Sequence, residues 1–431
     1  MTKKVGVAIL GVGVVGGGTY ETLVNHREFY LQTQQVDITV EAVLDRNLDR
    51  LKSLGIQDEI IASSIEEVIA NPNVDIVIET IGGVGVAKDF VMKALREGKT
   101  VVTSNKELIC KYSHELERVA KRNHCGLYYE ASCVGGVPII RTLLDGVQAN
   151  HIQEMMGIVN GTTNYILTKM TYEGAAYEDV LKEAQKLGYA EANPTADVDG
   201  FDSMYKLSIL SSMAFHTKIP YAKIFREGIS KIDAKDIAFG REIGYTLKLL
   251  AIGKRKDNSV EVRVHPTFIP SSHPLASVND SFNAVYIQGD AVGDVMLYGR
   301  GAGALPTASA VVSDVIYAAT HSEIKYSTFK NTASPESKIK FISDFTSAYY
   351  MRLFVEDVVG VLAKITGIFA KANVSIVEIA QKPKGEFGCD NERVPLIIIT
   401  HQTKENSVRN AVAKINASGL ATVETVIRVE G

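Results

Sequence analysis

Short apolar runs alternate with amphipathic stretches along residues 1–138. The runs lie at 5–10, 38–44, 75–79, 100–103 and 126–130, and the stretches between them repeat their apolar positions with helical spacing. Strands that alternate with helices form parallel sheets with right-handed crossovers. The pattern therefore predicts an α/β domain over residues 1–138.

The pattern changes after residue 138. Helical periodicity dominates residues 162–215, strand-like stretches follow between 247 and 297, and residues 307–319 are helical again. We therefore expect a second domain of the α+β class over residues 139–320. Its last part, 306–320, is expected to pack back on the first domain.

Residues 321–346 are polar and lack a clear period, which is typical of a linker. After them, strand-like and helical segments follow one another in the order βαββαβ. The strands are expected at 349–355, 374–381, 395–401 and 421–429, and the helices at 360–371 and 405–417. This order predicts a small ferredoxin-like domain over residues 347–431.

Composition narrows the functional classes. The 431 residues are 46% hydrophobic and 22% charged with a formal charge of -4, so the chain has no basic field that would attract nucleic acid. Apolar runs are far shorter than the ~18 residues of a membrane span, and no signal-peptide pattern is present, so we expect a cytoplasmic protein without membrane segments. Neither the four cysteines nor the nine histidines form the pairs typical of disulfide frameworks or zinc enzymes.

A glycine motif follows the first predicted strand. Gly11, Gly13 and Gly16 have the spacing G-x-G-x-x-G, with Val14 and Val15 between the last two. In a strand–turn–helix context, the first glycine permits the tight turn and the second lets a pyrophosphate approach the backbone. The third lets the helix pack against the strand. The motif predicts a Rossmann nucleotide-binding domain, and the alternative is a flexible turn without a ligand.

The second predicted strand ends at Asp45 and Arg46, where the adenine ribose of a dinucleotide would lie. An acidic side chain at this position accepts a hydrogen bond from the 2′-hydroxyl of NAD, whereas an arginine neutralises the 2′-phosphate of NADP. Because the sequence offers both side chains, the choice between NAD and NADP stays open.

An apolar helical segment carries a stripe of charged residues. Asp199, Asp202 and Lys206 fall on one face at about 100° per residue if the helix begins by residue 199. A turn-rich loop places Glu191 and Asp197 just before it. The stripe is either part of a catalytic site or an i, i+4 ion pair worth about a few tenths of a kcal/mol, and the pattern alone favours neither.

Two further polar segments follow predicted strands. Ser104 and Lys106 come directly after the strand at 100–103, at the carboxyl edge where open α/β sheets bind ligands. Gly161 and Thr162 begin a helix that is rich in hydroxyl and amide groups. The alternative for Thr162 is simple N-capping.

Taken together, these segments resemble homoserine dehydrogenases of the monofunctional type that carry a C-terminal ACT domain. The resemblance covers nearly the whole chain and rests on motifs at 11–18, 103–108, 130–140, 160–167, 188–206 and 299–308. It implies a Rossmann domain, a substrate-binding and dimerisation domain and an ACT regulatory domain. It also implies reversible NAD(P)-dependent hydride transfer between L-homoserine and L-aspartate 4-semialdehyde, in threonine, methionine and isoleucine biosynthesis.

The resemblance assigns roles residue by residue. Lys206 becomes the general acid/base, and Lys106 contacts both cofactor and substrate. Substrate contacts are implied for Glu191, Asp197, Asp202, Gly161 and Thr162. Cofactor contacts are implied for Gly11, Gly13, Val14, Val15, Gly16, Asp45, Arg46, Ser104, Lys106 and Gly303. A structural sodium ion is implied at Glu130 and at the carbonyls of Cys133, Gly135 and Val137, with Cys133 standing where a valine is expected.

An ACT domain implies control by an amino acid. Threonine is the expected effector, bound at the turn that contains Asp357 and Gly360, with Asn373 adding a polar contact; the alternative is a domain that only dimerises. We expect a homodimer or a homotetramer. Two other functions are a non-catalytic amino-acid sensor on the same scaffold and a dehydrogenase for another amino acid. The two lysines and the 188–206 motif favour homoserine dehydrogenase over both.

Overall fold

The computed structural model describes residues 2–321, 323–324, 326, 339–383 and 393–431. Most of the predicted linker and Cys389 lie outside the described residues. The chain forms two compact units. The first consists of Met1–Gly161, Asp202–Ala222 and Ser281–Lys338, and the second of Thr162–Phe201, Lys223–Asp280 and Ile339–Gly431.

A five-stranded parallel sheet forms the centre of the first unit. Its strands are β1 (Lys3–Leu10), β2 (Val36–Leu44), β3 (Ile76–Glu79), β4 (Thr100–Thr103) and β5 (Leu127–Tyr128), in the spatial order β2-β1-β3-β4-β5. The helices that connect them are α1 (Val14–Asn25), α2 (Arg27–Gln34), α3 (Leu48–Ser53), α4 (Ile65–Ala70), α5 (Gly85–Arg96) and α6 (Lys106–Arg122). The predicted alternation of strands and helices is confirmed, although the fifth strand is only two residues long.

A later segment completes the core of this sheet. Helix α13 (Ala304–Thr320) buries Val311 and Val315 in the same apolar cluster as Val7 and Ile9 of β1. These positions recur at helical spacing, so one face of α13 is covered while apolar surface of the sheet is removed from water.

The rest of the first unit contains a small antiparallel sheet. Strand β10 (Phe282–Gly289) pairs with β6 (Ile152–Ile158) on one side and with β11 (Gly293–Arg300) on the other. Two helices, α7 (Ile139–Arg141) and α11 (Phe201–Ala214), belong to the same unit apart from Phe201. Helix α11 is buried on almost every face, so its polar residues, among them Asp202 and Lys206, are buried together with its apolar ones.

The second unit is built on a mixed sheet. The order of its main strands is β8 (Tyr245–Lys256), β9 (Ser259–Pro270), β17 (Ala421–Val429), β13 (Thr346–Glu356), β15 (Arg393–Thr400) and β14 (Ile376–Gln381). Short strands β7 (Phe225–Arg226) and β12 (Lys340–Phe341) pair with β9, and β16 (Thr403–Lys404) pairs with β13. Its helices are α8 (Gly161–Glu173), apart from Gly161, α9 (Tyr177–Lys186), α10 (Thr195–Val198), α12 (Ala234–Glu242), α14 (Val361–Lys371) and α15 (Glu405–Ser418).

The C-terminal part of the second unit has the predicted βαββαβ order, with neighbouring strands β17-β13-β15-β14. Helices α14 and α15 cover this sheet, and Ile365, Phe369 and Ile415 are completely buried against it. Strand β17 also pairs in parallel with β9, through Arg428↔Thr267 and Val429↔Phe268. The ferredoxin-like fold is therefore continuous, through its edge strand, with the sheet of the preceding segment.

Candidate active site

The three glycines of the turn between β1 and α1 differ in their backbone conformation and in the space around them. Gly11 has φ +87, a left-handed conformation that favours glycine. A Cβ on Gly16 would lie 1.9 Å from the carbonyl oxygen of Gly11, whereas a Cβ on Gly13 would meet nothing within 4 Å. Gly16 is therefore required by the packing of α1, and Gly13 leaves the turn open to a ligand.

The end of β2 meets the same turn. Asp45 Oδ2 accepts a hydrogen bond of 2.6 Å from the amide of Val12, and Arg46 is exposed beside it. A second cation, Arg50, donates from Nε to the carbonyl of Val12 at 3.2 Å. The sequence analysis did not single out Arg50, although this arginine follows Asp45 closely in the sequence.

The exposed side of the turn includes Val14, which is 68% exposed although it is apolar. Gly303, with φ +118, is the N-cap of α13. A Cβ on Gly18 of α1 would lie 2.9 Å from the carbonyl of Ala304, so the start of α13 lies directly against α1. The structure thus brings the 299–308 motif to the glycine turn.

Polar groups gather at the carboxyl ends of β3 and β4. Glu79 is fully buried and accepts hydrogen bonds from Thr103 Oγ1 at 2.5 Å and from the amide of Ile81 at 2.8 Å. Asn105 caps helix α6 by accepting from the amide of Leu108 at 3.1 Å. Ser104 and Lys106, on either side of this cap, are half-buried and occupy the predicted edge of the sheet.

Asp202 lies between the two candidate catalytic lysines. Lys206 Nζ is 2.8 Å from Asp202 Oδ2, and Lys106 Nζ is 2.7 Å from Asp202 Oδ1. Asn160 donates to Oδ2 at 2.9 Å, and Lys206 also donates to the carbonyl of Val159 at 2.7 Å. The ammonium of Lys206 is thereby oriented by two acceptors on different elements.

The groups around Asp202 determine the charge of its carboxyl group. Its burial alone would raise the pKa of the carboxyl, but the charges of Lys206 and Lys106 and the hydrogen bond from Asn160 outweigh burial and hold the pKa well below its usual range. The two lysines and Asn160 therefore favour the charged form of the Asp202 carboxyl group. A fixed anion between two ammonium groups suits a site in which one lysine exchanges a proton and the other remains charged.

One part of the predicted stripe is wrong. Asp199 does not lie on α11, because α10 ends there and Gly200, with φ +80, turns the chain before α11 begins at Phe201. The predicted stripe therefore reduces to Asp202 and Lys206. Two further groups complete the surroundings of Asp202 and Lys206. Asn160 belongs to the 160–167 motif, and the carbonyl of Val159 directly precedes it. Neither was predicted as a contact.

The predicted substrate loop belongs to the second unit. Glu191 is exposed and Asp197, in helix α10, is half-buried. Thr162 Oγ1 donates to the carbonyl of Tyr189 at 2.6 Å, so Thr162 holds the start of this loop against α8. In the first unit, a Cβ on Gly161 would lie 2.8 Å from the carbonyl of Ser281, which explains a glycine at that position.

The predicted cation loop follows β5. Glu130 is 4% exposed, and its two carboxylate oxygens accept from the amides of Ile140 at 2.9 Å and Arg141 at 2.6 Å. Burial and the neighbouring carboxylate of Asp314 raise the pKa of Glu130 to about 7. Within the described part of the chain, His, Cys, Asp and Glu side chains form no cluster of three that could hold a metal ion. A site here would therefore depend on backbone carbonyls.

Three family models match the chain in order along the sequence. They are the homoserine dehydrogenase NAD-binding domain over residues 11–130, homoserine dehydrogenase over 138–316 and the ACT domain over 349–417. The homoserine dehydrogenase of Bacillus subtilis is 41% identical, with 100% of this chain and 99% of that protein covered. The chain belongs to the homoserine dehydrogenase family.

Other homoserine dehydrogenases extend the likeness. The Neisseria gonorrhoeae protein is 39% identical over 99% of both chains. The crystal structure of a Thiobacillus denitrificans homoserine dehydrogenase has a TM-score of 0.91 at 40% identity and covers 99% of this chain and 98% of its own. A hyperthermophilic archaeal homoserine dehydrogenase, solved in complex with NADPH, has a TM-score of 0.62 at 30% identity and covers 73% of this chain and 97% of its own.

Family membership establishes the chemistry in general terms. The chain is an oxidoreductase that acts on a CH–OH group with NAD(P), and it combines a nucleotide-binding domain, a central substrate domain and a C-terminal ACT domain. The predicted fold class and enzyme class are thus confirmed. Among the described residues, no helix is both long and apolar enough to cross a membrane.

Proposed function

We propose that this chain catalyses reversible hydride transfer between L-homoserine and L-aspartate 4-semialdehyde, in the biosynthesis of threonine, methionine and isoleucine. The observation that carries the proposal is the arrangement of Lys106 and Lys206 on the two oxygens of one buried carboxylate, Asp202. A sensor that had lost catalysis would have no need to bury an anion between two lysines, because such a cluster costs desolvation.

In the oxidation direction, the substrate hydroxyl loses its proton to Lys206 Nζ while the carbon that bears it loses a hydride. A bound nicotinamide cofactor would supply the acceptor for that hydride. Lys206 must be neutral to accept the proton, and Asp202 and the carbonyl of Val159 then stabilise the ammonium that forms. By resemblance to the family, Lys106 contacts both cofactor and substrate, and Glu191 and Asp197 contact the substrate ammonium.

The residues at the glycine turn fit a dinucleotide. Gly13 leaves the backbone open where the pyrophosphate would lie, and the start of α1 supplies amide donors. Val14, Val15, Ser104 and Gly303 form the remaining contacts by resemblance. Arg46 and Arg50 offer positive charge for a 2′-phosphate while Asp45 offers an acceptor for a 2′-hydroxyl, so the enzyme is proposed to accept NADP or NAD.

The cation loop fits a sodium ion with a structural role. Val134 and Gly135 have φ of +57 and +55, and a Cβ on Gly135 would lie 2.4 Å from the carbonyl of Gly301, so the loop is tightly packed. A buried carboxylate and backbone carbonyls are the hard oxygen donors that such an ion prefers. Glu130 and the carbonyls of Cys133, Gly135 and Val137 would hold the sodium ion, and the ion would stabilise the conformation of the loop.

The ACT domain supports control by an amino acid, for which threonine is the proposed effector. Gly360 has φ +86 and is the N-cap of helix α14, so the turn after Asp357 leads into a helix start whose backbone amides suit a carboxylate. Asn373, with φ +56, begins the approach to β14. An ACT domain that only dimerises remains the second reading.

The enzyme is proposed to form a homodimer or a homotetramer. Strand β11 is an edge strand that leaves Met296 and Tyr298 exposed, at 39% and 54%, on the same face of its sheet. An open edge with apolar side chains is a surface that soluble proteins usually cover.

The test is a dehydrogenase assay of the purified chain. Oxidation of reduced nicotinamide is followed with aspartate semialdehyde, using NADH and NADPH in parallel, with and without threonine. Turnover with aspartate semialdehyde supports the proposal, and turnover only with another amino-acid aldehyde assigns the chain a different substrate. Calorimetric binding of threonine without any turnover would instead support the non-catalytic sensor.

A further inference from the structure

We infer that Glu227, which is bound by Arg428 of the ACT domain, is a positioning residue for the substrate loop of residues 188–201. The inference rests on the proposed function and concerns how that loop is held. It is carried by contacts, all within the second unit, that lead from strand β17 to Glu227 and from the neighbouring residues 226–229 to residues 198–201.

These contacts begin in the ACT domain. Arg428 of β17 is 3% exposed and donates to two carboxylates. Its guanidinium forms a two-point contact with Glu405 of α15, at 2.6 Å and 3.2 Å, and a second with both oxygens of Glu227. Because a guanidinium is planar and rigid, a movement of β17 or α15 changes the position at which Glu227 can be bound.

Glu227 lies in a short segment that the sheet also holds. Its amide donates to the carbonyl of Val264 in β9 at 2.8 Å. The neighbouring residues on both sides turn toward the substrate loop. Arg226 donates to the carbonyl of Asp199, and its guanidinium stacks 3.6 Å from the ring centre of Phe201.

The contact on the other side of Glu227 is steric. A Cβ on Gly228 would lie 2.4 Å from the carbonyl of Val198 and 2.6 Å from Cα of Asp199. The amide of Ile229 also donates to the carbonyl of Val198 at 2.9 Å. Backbone therefore packs directly on backbone, and a displacement of this segment cannot be absorbed by side chains alone.

The residues held in this way adjoin the proposed site. Asp197 immediately precedes Val198, and Phe201 is the first residue of α11, the helix that carries Asp202 and Lys206. A change in the contact between Arg428 and Glu227 should therefore alter substrate affinity more than the proton transfer itself. This path gives an ACT ligand a physical means to change substrate binding.

A second ion pair of the ACT domain, between Arg352 and Asp236, provides the control. Arg352 of β13 donates to both oxygens of Asp236 at 2.7 Å and 3.0 Å, and Asp236 also accepts from Tyr350 and Thr425. This pair joins the ACT domain to helix α12 instead of to the 226–229 segment. Loss of either pair removes an ionic contact of the ACT domain, but only loss of the Glu227 pair is expected to disturb the substrate loop. The Asp236 pair is the more deeply buried of the two, since the side chain of Asp236 is 0% exposed and that of Glu227 is 42% exposed.

The experiment measures kcat and KM for homoserine in the full-length protein carrying Glu227→Gln, Arg226→Met or Asp236→Asn. Energetic coupling through such networks typically corresponds to about a 2- to 30-fold change in affinity, so Glu227→Gln and Arg226→Met should raise KM by that factor with kcat at saturation nearly unchanged. Asp236→Asn should lower the melting temperature and leave KM as it is. Glu227→Asp, which retains the carboxylate, should restore part of the loss.

A double-mutant cycle tests whether Arg428 acts through Glu227. Combining Arg428→Met with Glu227→Gln should raise KM no further than the larger single effect. An unchanged KM in both Glu227→Gln and Arg226→Met, or an equal rise in Asp236→Asn, would overturn the inference. If the Glu227→Gln protein does not fold, the KM of the Arg226→Met protein tests the inference in its place. A wild-type protein that does not turn over homoserine at all refutes the proposed function instead, so the two failures can be told apart.

Discussion

Removal of the Lys206 ammonium is the most direct test of the proposed mechanism. Lys206 Nζ contacts Asp202 at 2.8 Å and the carbonyl of Val159 at 2.7 Å, and its side chain is only 11% exposed. Few water molecules can therefore take its place. We predict that Lys206→Ala loses about 10²- to 10⁴-fold in kcat, which corresponds to about 3–5 kcal/mol in the activation barrier.

Lys206→Ala should lower the free energy of unfolding by less than the removal of every partner of a buried charge would. Asp202 keeps Lys106 at 2.7 Å and Asn160 at 2.9 Å, so its carboxylate remains paired. The loss should stay below the ~3–5 kcal/mol expected for an unpaired buried charge. Homoserine should still bind, because Glu191 and Asp197 are untouched.

The assay follows nicotinamide reduction with homoserine, alongside thermal melting and calorimetric binding of homoserine. Lys206→Arg keeps the charge but cannot release a proton at neutral pH, so it should regain stability without turnover. Lys111→Ala is the control, since Lys111 lies on α6 like Lys106 but pairs with Glu107 at 2.5 Å. Near-normal turnover by a folded Lys206→Ala protein, or by Lys206→Arg, would refute proton transfer by Lys206.

Three other predictions follow from single contacts. Arg46→Ala should weaken NADP binding more than NAD binding, and Arg50→Ala should do the same; equal losses in the two affinities would show that neither arginine binds the 2′-phosphate. Gly13→Ala should weaken cofactor binding with little change in melting temperature, whereas Gly16→Ala should lower the melting temperature, because only its Cβ would meet backbone, at 1.9 Å. Burial, Arg263 and Arg428 hold the pKa of His265 well below its usual value, so the folded protein keeps His265 neutral while the unfolded chain takes up a proton. Stability should therefore fall as the pH drops below about 6.5, by at most about 1.4 kcal/mol from this residue at pH ~5.5, and urea unfolding of His265→Gln should show a weaker pH dependence.

Local patterns in the sequence were enough to predict most of the fold. The first four strands, helix α13 and the βαββαβ order were all visible, because apolar residues must be buried on one face of each element. The glycine turn was visible for a related reason, since a positive φ at Gly11 and the close packing of Gly16 each exclude a side chain. The two lysines and Asp202 were found from position and resemblance.

Only the tertiary structure decided which charges meet. Lys206 follows Asp202 by one helical turn, so helix α11 alone brings that pair together. Lys106 and Asn160 are far from Asp202 in sequence, and their approach to it depends on how the sheet edge, the 160–167 segment and α11 pack within the first unit.

The same holds for the ACT domain. Its pattern predicted a separate unit behind a linker, but the pairing of β17 with β9 and the contact between Arg428 and Glu227 join it to the preceding segment. Hydrophobic periodicity determines which face of an element is buried, and it carries no information about which partner buries that face. That choice is made by packing, and here it places Asp202 between two lysines and Arg428 against the segment that holds the substrate loop.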